Sequence, residues 1–437
     1  MVARKLESWA ATAAATSVVD PGLGQQNSGY AARQRLPAEE FNYILQQLLG
    51  DGTPNSGGAI LRYTSLQDFV AARSAGELGI VAENYDPSLD PFRLLGTLDN
   101  VNSSTSCRAC AADGEYFYFG FNNGEVRCTQ RDAALTTVWT QDVGGAEQIR
   151  ALAADGDALY VAHGTEVEKV GRTTGNVFAG GWPYDHGFTV NSLAANGHRV
   201  FLGGVEDGSG DAVKSLNPSD GSVIDTAQVG ATAQEALSIA LDGRLAVYVG
   251  HAHDAGDRTL TALEYDLTAF DEGDSEIVEA TNLCRAVAVS EDLLFANFDN
   301  TGPRAYTKRR GVGAAGLRQV WSAADTGLTV AGANGLATDG TYLYEVKGSG
   351  GTSHALRVYD VKTGSLVRVL LGDATDHLPI AVACDGFQAV LALQEGAGSH
   401  EQVRAYSIGQ KPAMVIRETS TDGWRAPQPL LAQRLNV

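Results

Sequence analysis

From Cys107 onward the chain repeats a unit of roughly 45 residues, a period in the range of stacked or radially arranged β-units. Each copy opens with a short apolar run, passes through a polar turn and resumes as a run of β-branched and aromatic residues. The first reads Cys107-Arg-Ala-Cys-Ala-Ala-Asp113-Gly114 and then Glu-Tyr-Phe-Tyr-Phe; the second reads Arg150-Ala-Leu-Ala-Ala-Asp155-Gly156 and then Asp-Ala-Leu-Tyr-Val. Asn196-Gly197, Asp242-Gly243, Asp339-Gly340 and Asp385-Gly386 mark later copies in the same register, and Ser290-Glu291 marks a degenerate one, which makes seven.

An Asp-Gly or Asn-Gly pair between two apolar runs signals a hairpin, because the turn needs positive φ and glycine adopts it without strain. A second turn recurs at Thr173-Thr-Gly175-Asn176, Ser219-Asp-Gly221-Ser222 and Lys362-Thr-Gly364-Ser365. Two turns per copy give four antiparallel strands. Seven four-stranded units of this length predict a mainly-β chain built as a seven-bladed β-propeller, an arrangement that leaves only short protected edges. The expected organisation is a small helical and extended module over residues 1–90, the propeller over 91–412, and a last strand with a tail over 413–437. Two strands compete to complete the last blade. Phe92-Arg-Leu-Leu-Gly-Thr-Leu-Asp99 resembles an outer strand, whereas Ala413-Met-Val-Ile-Arg417 follows the last copy directly.

The formal net charge of −20 and a pI near 4.7 argue against a nucleic-acid or anionic-membrane surface, both of which need Lys and Arg patches. No apolar run reaches the length needed to cross a bilayer, so membrane insertion is not expected. Five cysteines, an odd number, do not describe a disulfide framework. Cys107 and Cys110 form a C-x-x-C, but Cys128 does not supply the second ligand pair of a zinc site. Cys107 aligns with Cys284 and Cys110 with Val287, which makes both sulfurs apolar inner-strand residues.

Other candidate chemistry is sparse. His251, His253, Asp254 and Asp257 form the best metal-like pattern, yet sister loops at the same blade position are simply polar, and no metal or cofactor is expected. Asp207-Gly-Ser209-Gly-Asp211 has alternating oxygens but lacks the glycine and glutamate of a calcium loop. No nucleophile elbow, P-loop or H-E-x-x-H motif is present, so no catalytic residue is assigned. Gly181-Trp182-Pro183-Tyr184-Asp185-His186-Gly187-Phe188 is the densest aromatic cluster. Trp182, Tyr184 and His186 could stack on and hydrogen-bond a glycan, and the competing reading is packing between blades, where Trp139 and Trp321 end comparable strands.

The non-repeating start reads differently. Leu36 to Gly50 has helical apolar spacing at Phe41, Ile44, Leu45, Leu48 and Leu49, with Pro37 in the first turn and Gly50 at the stop. Ser65-Leu-Gln-Asp68 is a capping box that predicts a second helix with Phe69, Val70 and Leu78 as apolar contacts. The segment before them has little core-forming material, so the module is expected to dock on a partner or on copies of itself.

The ordered series Trp9, Asp20-Pro21, Gly29-Tyr30 and Pro37-Ala-Glu-Glu-Phe41-Asn42-Tyr43-Ile44-Leu45, continuing to Leu48, resembles the N-terminal segment of tailed-virus structural proteins, particularly the tail fibres and appendages of bacteriophage-like particles. Such segments have a Trp, a Pro-containing turn, a Gly-aromatic pair and a helix opened by Pro and Phe-Asn-aromatic; Gly-Tyr here stands where Gly-Trp is common. The resemblance implies a non-enzymatic virion protein, homo-oligomeric in the particle, with these residues docking to other virion proteins and the propeller exposed to a host-surface glycan or receptor. Two other classes are open. One is a propeller enzyme acting on glycans or of quinoprotein type, suggested by the Asp360-Val-Lys-Thr-Gly-Ser turn, although Trp139, Trp182 and Trp321 are too irregularly spaced for docking tryptophans. The other is a cellular surface-binding propeller.

Overall fold

The computed structural model describes residues 92–99, 105–132, 134–156, 158–196, 198–205, 211–228, 235–242, 246–252, 258–265, 270–271, 276–278, 283–290, 293–298, 301–307, 317–323, 335–349, 353–370, 377–385, 388–395 and 401–408, together with 62–63, 78–81 and 413–416. The ring has seven blades, each an antiparallel sheet whose strands follow one another outward from the axis. Blade 1 comprises Cys107–Ala112, Tyr116–Phe121, Glu125–Gln130 and Thr137–Asp142. Blade 2 comprises Ile149–Asp155, Ala158–His163, Glu166–Gly171 and the short Tyr184–Asp185. Blade 3 comprises Val190–Ala195, Val200–Gly204, Asp211–Leu216 and Val223–Gln228.

Blade 4 comprises Glu235–Asp242, Ala246–Ala252 and Arg258–Tyr265, and its outer place is divided between Phe270–Asp271 and Glu276–Val278. Blade 5 comprises Cys284–Val289, Leu293–Phe298, Arg304–Thr307 and Arg318–Ser322. Blade 6 comprises Leu336–Thr338, Tyr342–Ser349, Ser353–Asp360 and Leu366–Leu370. Blade 7 takes His377–Cys384, Gln388–Glu395 and Glu401–Ser407 from the end of the chain and Leu94–Asp99 from before the first blade.

That exchange decides how the ring closes. Leu94 pairs with Tyr406 and Asp99 with Glu401, and the Phe92 N–H donates to Ser407 O at 2.7 Å. Ala413–Ile416, the rival fourth strand, pairs instead with Leu78–Val81. Leu78, expected on a helix, therefore begins a strand. The helix expected over 36–50 and the virion-attachment residues Trp9, Asp20, Pro21, Gly29, Tyr30, Pro37, Phe41, Asn42, Tyr43, Ile44, Leu45 and Leu48 lie outside the described residues.

The repeated Asp carries as much of the first turn as the Gly does. Gly114 sits at φ 85° and Gly340 at φ 81°, as a tight turn requires. Asp113 Oδ1 accepts from the Glu115 and Tyr116 N–H groups, both at 2.8 Å, and Asp339 Oδ1 accepts from Thr341 and Tyr342 at 2.7 and 2.6 Å. Asp385 Oδ1 holds the Gln388 N–H at 2.9 Å, and Asn196 Oδ1 does the same for Arg199 at 3.2 Å. A carboxylate or amide oxygen over the loop replaces backbone donors' lost partners, which explains why the position is Asp or Asn in most copies.

Apolar side chains alternate to both faces of each blade, and both faces are covered by neighbouring blades. Seven apolar clusters result among the described residues, each spanning two adjacent blades around the circle. Between blades 7 and 1, Phe117, Phe119 and Phe121 meet Val390, Ala392 and Val403. Burying one such aromatic fully contributes about 1.5–3 kcal/mol, so the ring is held by its interfaces rather than by any single blade.

Candidate functional sites on the ring

A polar constellation joins blades 1 and 2 behind the Asp113 turn. Arg172 follows the third strand of blade 2 and reaches across to Asp113 Oδ2 and Glu115 Oε2, each at 2.9 Å. Tyr118 donates its hydroxyl to the same Asp113 Oδ2 at 2.7 Å, and the guanidinium lies 5.8 Å from the Tyr116 ring centre. Burial disfavours the Arg172 charge, but Asp113, Tyr118 and Glu115 together hold its pKa above the ordinary value. The matching place between blades 7 and 1 is taken by Arg131, whose Nε meets Asp385 Oδ2 at 2.5 Å and whose Nη1 donates to Gly114 O at 3.0 Å. In each case the turn Asp of one blade is tied to an Arg just after the third strand of the next.

Two tryptophans form a second recurring tie, and a third packs in the corresponding place. Trp139 Nε1 donates to Arg172 O and Trp321 Nε1 to Val361 O, both at 2.8 Å, so each indole hydrogen-bonds the carbonyl that opens the next blade's outer turn. Their rings lie on the glycine of that turn: a Cβ at Gly175 would come within 2.9 Å of Trp139, and one at Gly364 within 2.5 Å of Trp321. Trp182 rests likewise near Gly221 of blade 3, 3.4 Å from where a Cβ would stand. The three residues look irregular in the sequence but each packs on the outer-turn glycine of the next blade, and Trp139 and Trp321 add the indole hydrogen bond that Trp182 lacks.

Blades 5 and 6 share a fully buried charge pair. Glu345 and Lys347 project from the same side of Tyr342–Ser349 with no side-chain exposure, their charges 3.5 Å apart. Asn297 Nδ2 of blade 5 donates to Glu345 Oε1 at 2.6 Å, the Tyr359 hydroxyl donates to Oε2 at 2.8 Å, and Lys347 Nζ donates to Thr301 O at 2.5 Å. Burial nevertheless raises the Glu345 pKa, its partners only moderating the shift.

At the opposite end of blade 2 from its Asp155-Gly156 turn, His163, Glu166 and Glu168 bring one imidazole nitrogen and two carboxylates within 4.8 Å of one another. His163 Nδ1 faces Glu147 Oε2 and Nε2 faces Glu168 Oε1, each at 3.4 Å. Burial opposes the imidazolium, but Glu168 and Glu147, with Glu166 beyond them, raise the His163 pKa. Sequence reasoning passed over this group because an alternating Glu-Val-Glu looks like a solvated strand face.

Of the two readings open for the aromatic segment, a glycan contact or packing between blades, the structure shows the packing. Trp182 is 6% exposed and lies 5.5 Å from Tyr160, and His186 is 4% exposed. Tyr184 is half-buried in the outer strand, so the cluster serves the packing between blades 2 and 3. The C-x-x-C behaves as expected. Cys107 and Cys284 occupy equivalent places, pairing with Phe121 and Phe298, and Cys110 and Val287 follow in register. All five cysteines are free thiols. Burial raises the Cys107 pKa well above normal, with Cys110 adding to the shift, and burial pushes Cys110 up to about 12. Of the His-rich loop, 253–257 lies outside the described residues, and so does 206–210 of the calcium-like loop.

With this geometry in place, comparison with known proteins bears on the fold. No family model matches the chain, and no curated protein matches its sequence. Solved structures do. The β-propeller domain of Myceliophteria thermophila Cps50 (Swd1) superposes with a TM-score of 0.54 at 15% identity, covering 72% of this chain and 99% of that one. The WD40 repeats of RRP9 give 0.55 at 10% identity over 76% and 99%, and U3-55K gives 0.53 at 10% identity over 72% and 98%. The likeness establishes the propeller. At these identities it establishes the fold alone, and none of the three is described as a virion component.

Proposed function

We propose that the chain is a non-enzymatic interaction propeller whose partners are proteins. The observation that carries this reading is how the ring spends its buried polar groups. Asp113, Glu115 and Asp385 are bound by Arg172 and Arg131, Glu345 by Lys347, Asn297 and Tyr359, and the Trp139 and Trp321 indoles by the next blade's turns. Groups fixed by several partners serve rigidity, and a rigid ring presenting loops from every blade is a platform for recognition. Propellers that superpose on this one include cellular proteins, which favours a protein-binding role over a glycan-directed or quinoprotein enzyme.

A second reading is favoured by one specific feature, the ordered series from Trp9 to Leu48. On that reading residues 1–90 anchor a homo-oligomer to a tailed-virus particle and the propeller is the displayed, host-facing part. Cross-linking mass spectrometry of the full chain in its native lysate, alongside proteomics of purified virus particles, separates the two. Capture of defined cellular proteins on the ring supports the first reading. Recovery in particles that depends on residues 1–60 supports the second, and turnover of a glycan or alcohol substrate by the purified chain refutes both.

A further inference from the structure

The strands Ala158–His163 and Glu166–Gly171 are joined by only Gly164 and Thr165, and His163 stands directly opposite Glu166 in the register. Residues directly opposite in an antiparallel pair project to the same face, and so do residues two apart on one strand. His163, Glu166 and Glu168 are therefore brought to one face of blade 2 by backbone geometry, without help from any flexible loop. The His163 side chain is 6% exposed and Glu168 is 13% exposed. His163 Nε2 is buried and faces the two carboxylates, with Glu168 Oε1 3.4 Å away but no hydrogen bond of ordinary geometry to it.

Glu147, on the connection from blade 1, lies over the same hairpin. A Cβ at Gly164 would fall 1.9 Å from Glu147 Oε2, so this turn is glycine for want of space as well as for its φ of 48°. A Cβ at Gly144 would stand 3.2 Å from His163 Cβ, so the connection is pressed against the imidazole. Glu147 sits on Nδ1, which leaves Nε2 to face Glu166 and Glu168. A carboxylate on one ring nitrogen with the other ring nitrogen turned toward further ligands is the usual outer support of a metal-bound histidine.

We propose that His163 Nε2, Glu166 and Glu168 form a binding site for a divalent transition-metal ion of the zinc class, with Glu147 positioning the imidazole. Tetrahedral zinc with bonds of about 2.0–2.1 Å places its ligand atoms about 3.3–3.4 Å apart. The Nε2 to Glu168 Oε1 separation of 3.4 Å already has that value. One nitrogen and two carboxylates suit zinc or manganese better than calcium, which takes six or more oxygens. Three protein ligands leave a fourth position for water or for a donor from a partner. The site is independent of which partner the ring engages.

Titration of the EDTA-treated full-length chain with zinc chloride, followed by calorimetry and by thermal melting, tests this. The expected result is one ion per chain with a rise in melting temperature. Glu168→Gln and Glu166→Gln should each weaken binding beyond the roughly 10–100-fold range of outer-shell changes, and Glu147→Gln should fall within it. Affinity should decline as pH is lowered, because protons and metal compete for Nε2. A variant's melting curve in EDTA shows whether it folds, and Glu166→Gln, on a partly exposed residue, is the one expected to leave the fold unaltered. Absence of saturable zinc binding overturns the proposal, as does binding that is unchanged in the two glutamine variants and lost in His251→Asn. His163 would then be a buried histidine paired with the Glu147 and Glu168 carboxylates.

Discussion

Removing the Arg172 side chain by Arg172→Met tests the inter-blade tie most directly. Its side chain is 6% exposed, and the facing carboxylate side chains are 5% and 11% exposed. Withdrawing one partner from a buried ion pair costs about 3–5 kcal/mol, because the other charge is left without compensation. Here the two carboxylates fare differently. Asp113 keeps two backbone N–H donors and the Tyr118 hydroxyl, whereas Glu115 has Arg172 as its ion-pair partner. The expected loss is therefore at the low end, about 3 kcal/mol. Adding Glu115→Gln to Arg172→Met removes the orphaned charge and should restore at least about 1 kcal/mol, a coupling that a cycle of single and double variants isolates. Arg172→Lys should be intermediate, since an ammonium cannot contact both carboxylates in the forked geometry. Guanidinium denaturation followed by tryptophan fluorescence and far-ultraviolet circular dichroism measures these differences, provided the two probes give coincident transitions. A loss below about 1 kcal/mol for Arg172→Met, the range of solvent-exposed pairs, would refute the view that this network clamps blades 1 and 2.

Three further outcomes follow from the same geometry. Gly364→Ala should destabilise by more than about 1 kcal/mol, since φ is 69° and the new methyl would meet Trp321 at 2.5 Å; relief by Trp321→Ala in the same background would show that the indole is the obstacle. Cys107 and Cys110 should resist iodoacetamide in the native protein at pH 8 and react on unfolding, because burial keeps both thiols protonated and Cys110 ionises only near pH 12; rapid native modification at pH 8, read by peptide mass, would contradict their placement. Deleting residues 1–60 should leave a melting transition close to that of the full chain, whereas deleting 1–100 removes Leu94–Asp99 and should yield an aggregating or much less stable product; equal stability of the two truncations would show that blade 7 closes in another way.

The seven-fold repeat was legible because its signals are local. An Asp or Asn three or four residues before the next strand, and a glycine at positive φ, act within one turn, so each copy announces itself without knowledge of the others. Closure is different. Phe92 N donates to Ser407 O, and Leu94 pairs with Tyr406 across nearly the whole propeller. Residues 92–99 and 413–417 have similar strand character, and local propensity contains nothing that favours one as the neighbour of Glu401–Ser407. The N-terminal strand can hold the ring shut because it joins a sheet made from the other end of the chain.

The polar sites were hidden for a related physical reason. In an open antiparallel sheet, alternation of apolar and polar residues marks a buried and a wet face, so Tyr-Glu-Val-Lys and Glu-Val-Glu both read as half-solvated strands. In a ring each blade is covered on both faces, and the polar positions of Tyr342–Ser349 become inter-blade positions. Glu345 and Lys347 are therefore buried with partners from blade 5, and Arg172 and Arg131 reach a neighbour's turn rather than water. His163 escaped attention because its two glutamates lie beyond a turn. Once that turn is known to have two residues, a histidine just before it and glutamates one and three places after it must share a face. Charged residues on the second and third strands of such a ring are accordingly the places to look for ties and sites, and here that distinction separates the carboxylates held by arginine from the pair that face a buried imidazole nitrogen.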